Sequence, residues 1–305
     1  MKTIFYRNVR DKTLQENAKL RVGSWIHLEE PTDAELQDLQ ETFKLDEGLL
    51  KDALDLYEVP RMEVEDKIIY IFSRYPYKKK EQIVTSPILF IIAKEVFITI
   101  TKEKFTLLDP FIKKERFFTT QKNKLLLQLF KIINTTFNTH FNTISRQVRV
   151  SSYELEKISN AQIIQFVVYE RILNDFYMAL MRTNTMLKDL QNHHLITFFD
   201  EDKDLIDDLF LSNDQLIQMS NENLKSIVNI RDAYSTIMTN NTNQVVRFFT
   251  SVTVILTIPT IIASIFGMNV GLPYQNHPLA FTGVIVFIMI LVAVLVMLFL
   301  KKEWL

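Results

Sequence analysis

The sequence predicts an α+β cytosolic domain followed by long helices and two C-terminal transmembrane helices, the first continuous with a long stalk helix. Three observations carry that expectation. The 35 Lys+Arg and 36 Asp+Glu residues of the 305-residue chain all lie outside positions 248–300. Within that charge-free stretch, residues 248–266 and 279–300 are apolar runs long enough for a bilayer core of about 30 Å at about 1.5 Å rise per residue. From position 121 to position 266 the only proline is Pro259 and glycine is absent, so the strong breakers of helices are missing there.

In the N-terminal part, residues 68–72, 88–93 and 96–101 are apolar, β-branched runs that predict strands, the last two joined by Lys94-Glu95. Residues 32–43 and 46–56 have helical periodicity, and Thr32 with Glu35 has the spacing of a capping box. Residues 1–120 therefore read as a cytosolic α/β domain. Residues 121–247 read as long cytosolic helices, with breaks near 150–152 and 197–202 that give helices over 121–149, 153–196 and 203–266. Transmembrane helix 1 is expected over 248–266, an outer loop over 267–278, transmembrane helix 2 over 279–300 and a basic cytosolic tail over 301–305. The loop is too short for its two ends to lie on opposite sides of the membrane and has no Lys or Arg, whereas Arg247 precedes the first span and Lys301 and Lys302 follow the second. The excess of positive charge on the cytosolic side then places both termini in the cytosol. The opening MKTIFYRNVRDK has no apolar core of signal-peptide length, so the large N-terminal part is expected to stay on the side where it is made.

Composition excludes several function classes. A formal charge of −1 gives no overall field to select nucleic acid. The five glycines form neither GxxxxGK[ST] nor GxGxxG, so no phosphate-cradling loop predicts nucleotide binding. With no cysteine and no HExxH among five histidines, thiolate chemistry and the familiar zinc sites are absent from the sequence. No enzyme is expected, and no cofactor.

A helix over 203–266 would be about 95 Å long, far more than a bilayer needs. Read at heptad spacing it has one seam: Asp232, Thr236, Thr239, Asn243, Val246, Thr250, Thr253, Thr257, Thr260, Ser264 and Gly267. Every position but Val246 is polar or glycine, and of the hydroxyl side chains within the span only Ser251 lies off it. Two readings stay open. Ser and Thr are enriched where membrane helices pack closely. Alternatively, because the same face continues into the cytosol as Asp232 and Asn243, where a coiled-coil core would be apolar, several copies could ring an axis with a wet seam inward.

At the outer end of the seam stands Gly267-Met268-Asn269. In this setting the chain resembles the CorA family of divalent-cation channels, whose Gly-Met-Asn signature closes the first of two C-terminal spans. Asn243 and Thr250 on the stalk, Pro259-Thr260 before the signature, Phe266 where the family usually has Tyr, and the tail Lys301-Lys302-Glu303-Trp304-Leu305 carry the resemblance in order. Trp25-Ile26-His27-Leu28 with Pro31 and Glu35, and Pro60-Arg61 with Glu63, extend it more loosely to the N-terminal half. The resemblance implies a funnel-shaped homopentamer in the plasma membrane that takes up hydrated Mg²⁺ passively, often Co²⁺ or Ni²⁺ as well, and is closed by cytosolic divalent ions.

On that resemblance Gly267, Met268 and Asn269 form the selective outer mouth. Asn269 offers an amide oxygen to the ion's waters, backbone carbonyls of the first two add to it, and Gly267 lets the chain turn tightly. Asn243 repeats the amide ring at the inner end, with Thr250, Thr253, Thr257, Thr260 and Ser264 lining the path between. Val246 is the expected dewetting gate, with Phe249 beside it, and Asp232 forms a ring at the cytosolic mouth. In the acidic stretch Asp200, Glu201, Asp202, Asp204, Asp207 and Asp208, the last two are the candidates for a regulatory metal site, although acids favour any helix N-terminus. The outer loop departs from the family in having no acid, leaving Gln275 and Asn276 as neutral oxygens, and His277 reads as an ordinary loop residue. Two alternatives remain: a transporter preferring Co²⁺, Ni²⁺ or Zn²⁺, which the lack of soft ligands on the seam disfavours, and a membrane-anchored sensor or scaffold whose stripe is buried and dry.

Overall fold

The computed structural model describes residues 1–80, 82–153, 155, 158–192, 198–271 and 277–304. Two compact units, Met1–Ile230 and Arg231–Leu305, divide the chain.

The first unit is built on one seven-stranded sheet in the order β2-β1-β3-β7-β6-β5-β4. Its strands are β1 Lys2–Tyr6, β2 Gln15–Glu16, β3 Ser24–Glu29, β4 Arg61–Glu65, β5 Ile68–Lys79, β6 Gln82–Ile92 and β7 Val96–Thr101. Only β3 and β7 run parallel, Ser24 opposite Val96 through Glu29 opposite Thr101. The remaining neighbours are antiparallel. Both faces of the central strands are covered, which is why β6 and β7 read as nearly continuous apolar runs. One face, with Ile26, Leu28, Tyr70, Phe72, Leu89, Ile91, Ile98 and Ile100, packs on α1 (Asp33–Phe43) and α2 (Glu47–Asp52) through Leu36, Leu39, Leu49, Leu50 and Ala53. The opposite face carries Trp25, Phe97 and Phe90. It meets Phe111 of α3 (Leu108–Lys114), Phe117, and Phe130 of α4 (Lys122–Tyr153).

The capping box at α1 is formed: Glu35 N–H donates to Thr32 Oγ1 and Thr32 N–H to Glu35 Oε2. Strand β5 runs past the expected Phe72 to Lys79, and β6 begins six residues before the expected Ile88. Pro76 and Pro87 lie in these extensions, where each lacks a ladder donor. They are tolerated because β4 pairs only as far as Phe72 and β7 only from Ile88, so the far half of the β5–β6 ribbon has free outer edges.

Helix α4 passes through the expected break at 150–152 and ends at Tyr153. The next helix, α5, begins at Asn160 rather than 153. Its start is fixed by a second capping box, with Gln162 N–H donating to Ser159 Oγ and Ser159 N–H to Gln162 Oε1. The third long helix, α6, spans Asp200–Phe266, three residues earlier than expected, and continues through Pro259. Its N-terminal part packs within the first unit through Ile206, Leu209, Asn213, Leu216, Ser220, Ile227 and Ile230, a heptad stripe that is buried except at the half-buried Asn223. Where α4, α5 and α6 meet β5, Ser73, Asn134, Thr183 and Asn213 surround a cavity of about 10 Å³. Ser73 Oγ and Asn134 Oδ1 have no protein partner there, and that space suits a single water.

The second unit comprises the rest of α6 and α7, Ala280–Lys301. Both helices are long and apolar enough to cross a membrane, and they are barely buried within the chain. Helix α7 is C-capped by Lys302, after which Glu303 takes a left-handed φ of 56°.

Candidate functional site

The α6 seam begins two residues beyond the buried stripe that ends at Ile230. At 100° per residue that offset of about 200° puts it on nearly the opposite side of the helix. Asp232, Thr236, Thr239, Asn243, Val246, Thr250, Thr253, Thr257, Thr260, Ser264 and Gly267 are all exposed. Val252, Val254, Ile255, Ile258 and Ile262, off the seam, are half-buried. The stripe is therefore left uncovered by its own chain, as are the apolar Phe249, Leu256, Ile261 and Ile265 beside it.

The threonines on that stripe share one geometry. Thr250 Oγ1 donates to the Val246 carbonyl at 2.8 Å, Thr253 to Phe249 at 2.7 Å, Thr257 to Thr253 at 2.7 Å and Thr260 to Leu256 at 2.8 Å. Thr236 and Thr239 do the same with Asp232 and Ser235. A hydroxyl has one hydrogen and two lone pairs. With the hydrogen returned to the helix, what faces outward is a row of acceptors. Such a row attracts the protons of water bound to a cation and offers nothing to an anion.

Helix α6 ends one residue before Gly267, whose N–H donates to the carbonyls of Ala263 at 2.9 Å and Ser264 at 3.2 Å. Gly267 lies in the turn that follows the helix without taking a left-handed conformation; Gly23 is the glycine that does, among the described residues. At Gly267 a Cβ would sit 3.4 Å from the Ala263 carbonyl, ordinary van der Waals contact, so neither space nor backbone angle demands glycine within this single chain. Met268 and Asn269 follow in an exposed bend. Gln275 and Asn276 lie outside the described residues. His277 Nδ1 accepts the Leu279 N–H at 3.2 Å, a helix-start contact.

The cytosolic candidates are less convergent. Asp207 and Asp208 are exposed on α6. Asp202 is buried and accepts the Phe199 N–H at 3.2 Å, a capping role. Among the described residues of this single chain no three His, Asp or Glu side chains come together as a metal cluster.

One residue that sequence reasoning set aside has a defined role. Ser251, the hydroxyl off the seam, is fully buried; it donates to the Phe248 carbonyl at 2.8 Å and reaches the Trp304 carbonyl at 3.4 Å. Trp304 in turn stacks on Phe299. The basic tail is thereby folded back onto the first turn of the span. Its lying off the stripe was the available signal.

The profile of the family described as CorA-like Mg²⁺ transporter protein matches residues 22–302. The Cobalt/magnesium transport protein CorA of Methanocaldococcus jannaschii is 25% identical over 295 residues, covering 92% of this chain and 90% of that one. The Magnesium transport protein CorA of Wolinella succinogenes is 22% identical over 309 residues, covering 92% and 91%. The complete structure of the CorA magnesium transporter from M. jannaschii superposes with a TM-score of 0.86 at 21% identity, covering 100% of this chain and 99% of that chain, and so shares its fold.

Proposed function

The chain belongs to the CorA family, and on that premise we propose that it is a channel for passive, potential-driven uptake of hydrated Mg²⁺, with Co²⁺ and Ni²⁺ as secondary ions, across the plasma membrane. The observation that carries this reading is the uncovered stripe of Thr250, Thr253, Thr257 and Thr260 oxygens, each with its hydrogen committed to its own helix. Mg²⁺ dehydrates reluctantly and keeps its waters, so acceptors placed for water protons suit it better than charged ligands would. A single exposed stripe encloses nothing, and closing a path takes several copies around an axis. A homopentamer with α6 innermost, as the family resemblance implies, meets that requirement. In that arrangement residues 1–247 and 301–305 are cytosolic, 248–266 line the pore, 267–278 face outside and 279–300 face lipid.

Along the path Asn269 with the Gly267 and Met268 carbonyls forms the outer mouth and Asn243 the inner amide ring. Ser264 completes the lining, Val246 is the dewetting constriction, and Asp232 collects cations at the cytosolic end. Asp207 and Asp208 are the proposed regulatory ligands through which cytosolic Mg²⁺ closes the channel. Moving a divalent ion down an inside-negative potential releases about 4.6 kcal/mol per 100 mV, so uptake needs no nucleotide hydrolysis.

The test is ion influx into liposomes containing the full chain under an imposed inside-negative potential, with Mg²⁺, Co²⁺, Ni²⁺ and Zn²⁺ in parallel. Mg²⁺ influx is expected to rise with the potential. Faster Zn²⁺ or Co²⁺ influx would replace Mg²⁺ as the ion, and no flux of any of them from folded, assembled protein would leave an anchored sensor or scaffold in its place. Because the chain has no cysteine, Thr257→Cys gives an independent reading: it is expected to react with a hydrophilic, membrane-impermeant thiol reagent. A dry, unreactive Cys there means that the stripe is a packing surface.

A further inference from the structure

Beyond the ion path, the first unit contains a groove of about 660 Å³ whose lining comes from three places far apart in sequence: the turn at 56–60, the free-edged end of the β5–β6 ribbon, and one face of α5. That volume lies within the range of about 300–1,000 Å³ usual for small-molecule sites. Its charge is unbalanced. Arg74, Lys79, Arg171 and Arg182 line it against the carboxylates of Glu58 and Asp175. Lys79 pairs with Glu103 at 2.6 Å, and Glu58 shares the single Arg61 guanidinium with Asp52 and Glu63. Three guanidiniums then face the two lining carboxylates, Asp175 and Glu58.

Arg74 anchors the floor. Its Nε donates to Thr85 Oγ1 at 3.0 Å, its Nη2 to the Leu56 and Thr85 carbonyls at 2.9 and 3.0 Å, and its Nη1 to the Glu58 carbonyl. All four acceptors are neutral, so hydrogen bonds orient the half-buried cation, and the Asp175 and Asp55 carboxylates act on it only through space. Arg171, Asp175, Met178 and Arg182 follow one another at i, i+4, i+7 and i+11, which puts them on one face of α5. Arg171 and Arg182 are exposed and stand about 16 Å apart along the helix axis. That span exceeds a single phosphate and fits an extended anion, and the planar fork of arginine matches phosphate oxygens two at a time. Tyr57, 88% exposed at the rim, offers an open ring face for stacking.

We propose that this groove binds a linear polyphosphate chain, either inorganic or carried by a nucleoside. The site owes nothing to a glycine-rich loop, whose absence led the sequence to predict no nucleotide partner. A ligand of this class is also a strong Mg²⁺ chelator and sits on the same unit as the regulatory acids.

The experiment is isothermal titration of the full-length protein in detergent, in buffer freed of divalent ions and held at constant ionic strength, with inorganic tripolyphosphate and with ATP. Saturable binding of at least one is expected, weakened about tenfold or more in the double variant Arg171→Ala/Arg182→Ala. Both positions are exposed on a helix, where alanine preserves the backbone. Lys51→Ala, on α2 and outside the groove, should leave binding unchanged. Tighter binding of ATP that Tyr57→Ala reduces to the tripolyphosphate level identifies a nucleotide; equal affinities identify the phosphate chain alone. No saturable binding of either probe, or unchanged affinity in the double variant, overturns the proposal.

Discussion

Asn269→Ala is expected to bring potential-driven Mg²⁺ influx down to the background of protein-free liposomes. Met268 and Asn269 are exposed and follow the end of α6, so the truncation removes no packing and the assembled protein should keep its stability. On the proposed reading, what it removes is an amide oxygen that accepts from ion-bound water. A hydrogen bond involving a charged partner contributes about 1.5–3 kcal/mol net. In a symmetric assembly the same oxygen is lost from every copy at once, so even the lower figure, counted for two copies, amounts to about a hundredfold in occupancy of the mouth. Deleting one threonine hydroxyl from the middle of the path should cost far less, because its neighbours at Thr253 and Thr260 present the same acceptor one turn away. Asn269→Asp retains an oxygen and adds charge, and is expected to hold the ion while slowing its release. Mg²⁺ influx equal to wild type in Asn269→Ala would remove the outer mouth from this residue, whatever the ion.

The elements that read clearly from sequence were those whose physics is local or doubly constrained. Strands β6 and β7 stand out because both faces are covered, and α1 because Thr32 and Glu35 cap it within four residues. Strands β1 and β4 do not stand out: each lies toward a sheet edge and carries polar residues, as in Arg61-Met-Glu-Val-Glu65. The start of α5 was legible in principle, since Ser159 and Gln162 have the same capping spacing as Thr32 and Glu35. The α6 seam was visible because one helix carries all of it. The polyphosphate groove was not, because Arg74 and Arg182 are more than a hundred residues apart and only the ribbon's passage beside α5 brings them together. Gly267 shows a subtler limit: within one chain neither its backbone angle nor the space around it requires glycine.

Trp25→Ala is expected to destabilise the first unit by about 3–5 kcal/mol, the usual range for deleting a large buried aromatic. Trp25 is fully buried on β3, with ring centroids of Phe5 at 4.9 Å, Phe117 at 5.7 Å, Phe111 at 6.2 Å and Phe97 at 6.4 Å. These partners come from β1, β7, α3 and the segment before α4, so the cavity would open at the junction of four segments. Trp25 also begins a polar chain. Its Nε1–H donates to Thr99 Oγ1 at 3.0 Å, and Thr99 Oγ1 lies 2.7 Å from His27 Nδ1. Indole is a donor only, so Thr99 Oγ1 accepts from Trp25, and its second bond, to His27 Nδ1, runs in the direction set by the imidazole tautomer. His27 Nε2 faces Glu29 Oε2 at 4.0 Å. The His27 ring and the Phe105 N–H, 2.9 Å from Oε2, hold the Glu29 carboxyl below its ordinary range despite opposing burial. Trp25→Phe separates the two contributions, because it keeps most of the apolar contact and deletes the donor. It is expected to cost about 1–2 kcal/mol, the price of one buried acceptor left unpaired. Packing, the remaining ~2–3 kcal/mol of the alanine cost, should therefore outweigh hydrogen bonding at this position by a factor of about 1.5–2. Hydrogen exchange of the β3 and β7 amides in the full chain reads the loss directly, without requiring the whole molecule to unfold in one step. Trp25→Ala protection within about 1 kcal/mol of wild type would remove the indole from the core's keystone role. Equal damage from Phe and Ala would transfer the stabilisation to the Trp25-Thr99-His27-Glu29 chain, making that polar relay, and not the aromatic cluster, what holds β3 against β7.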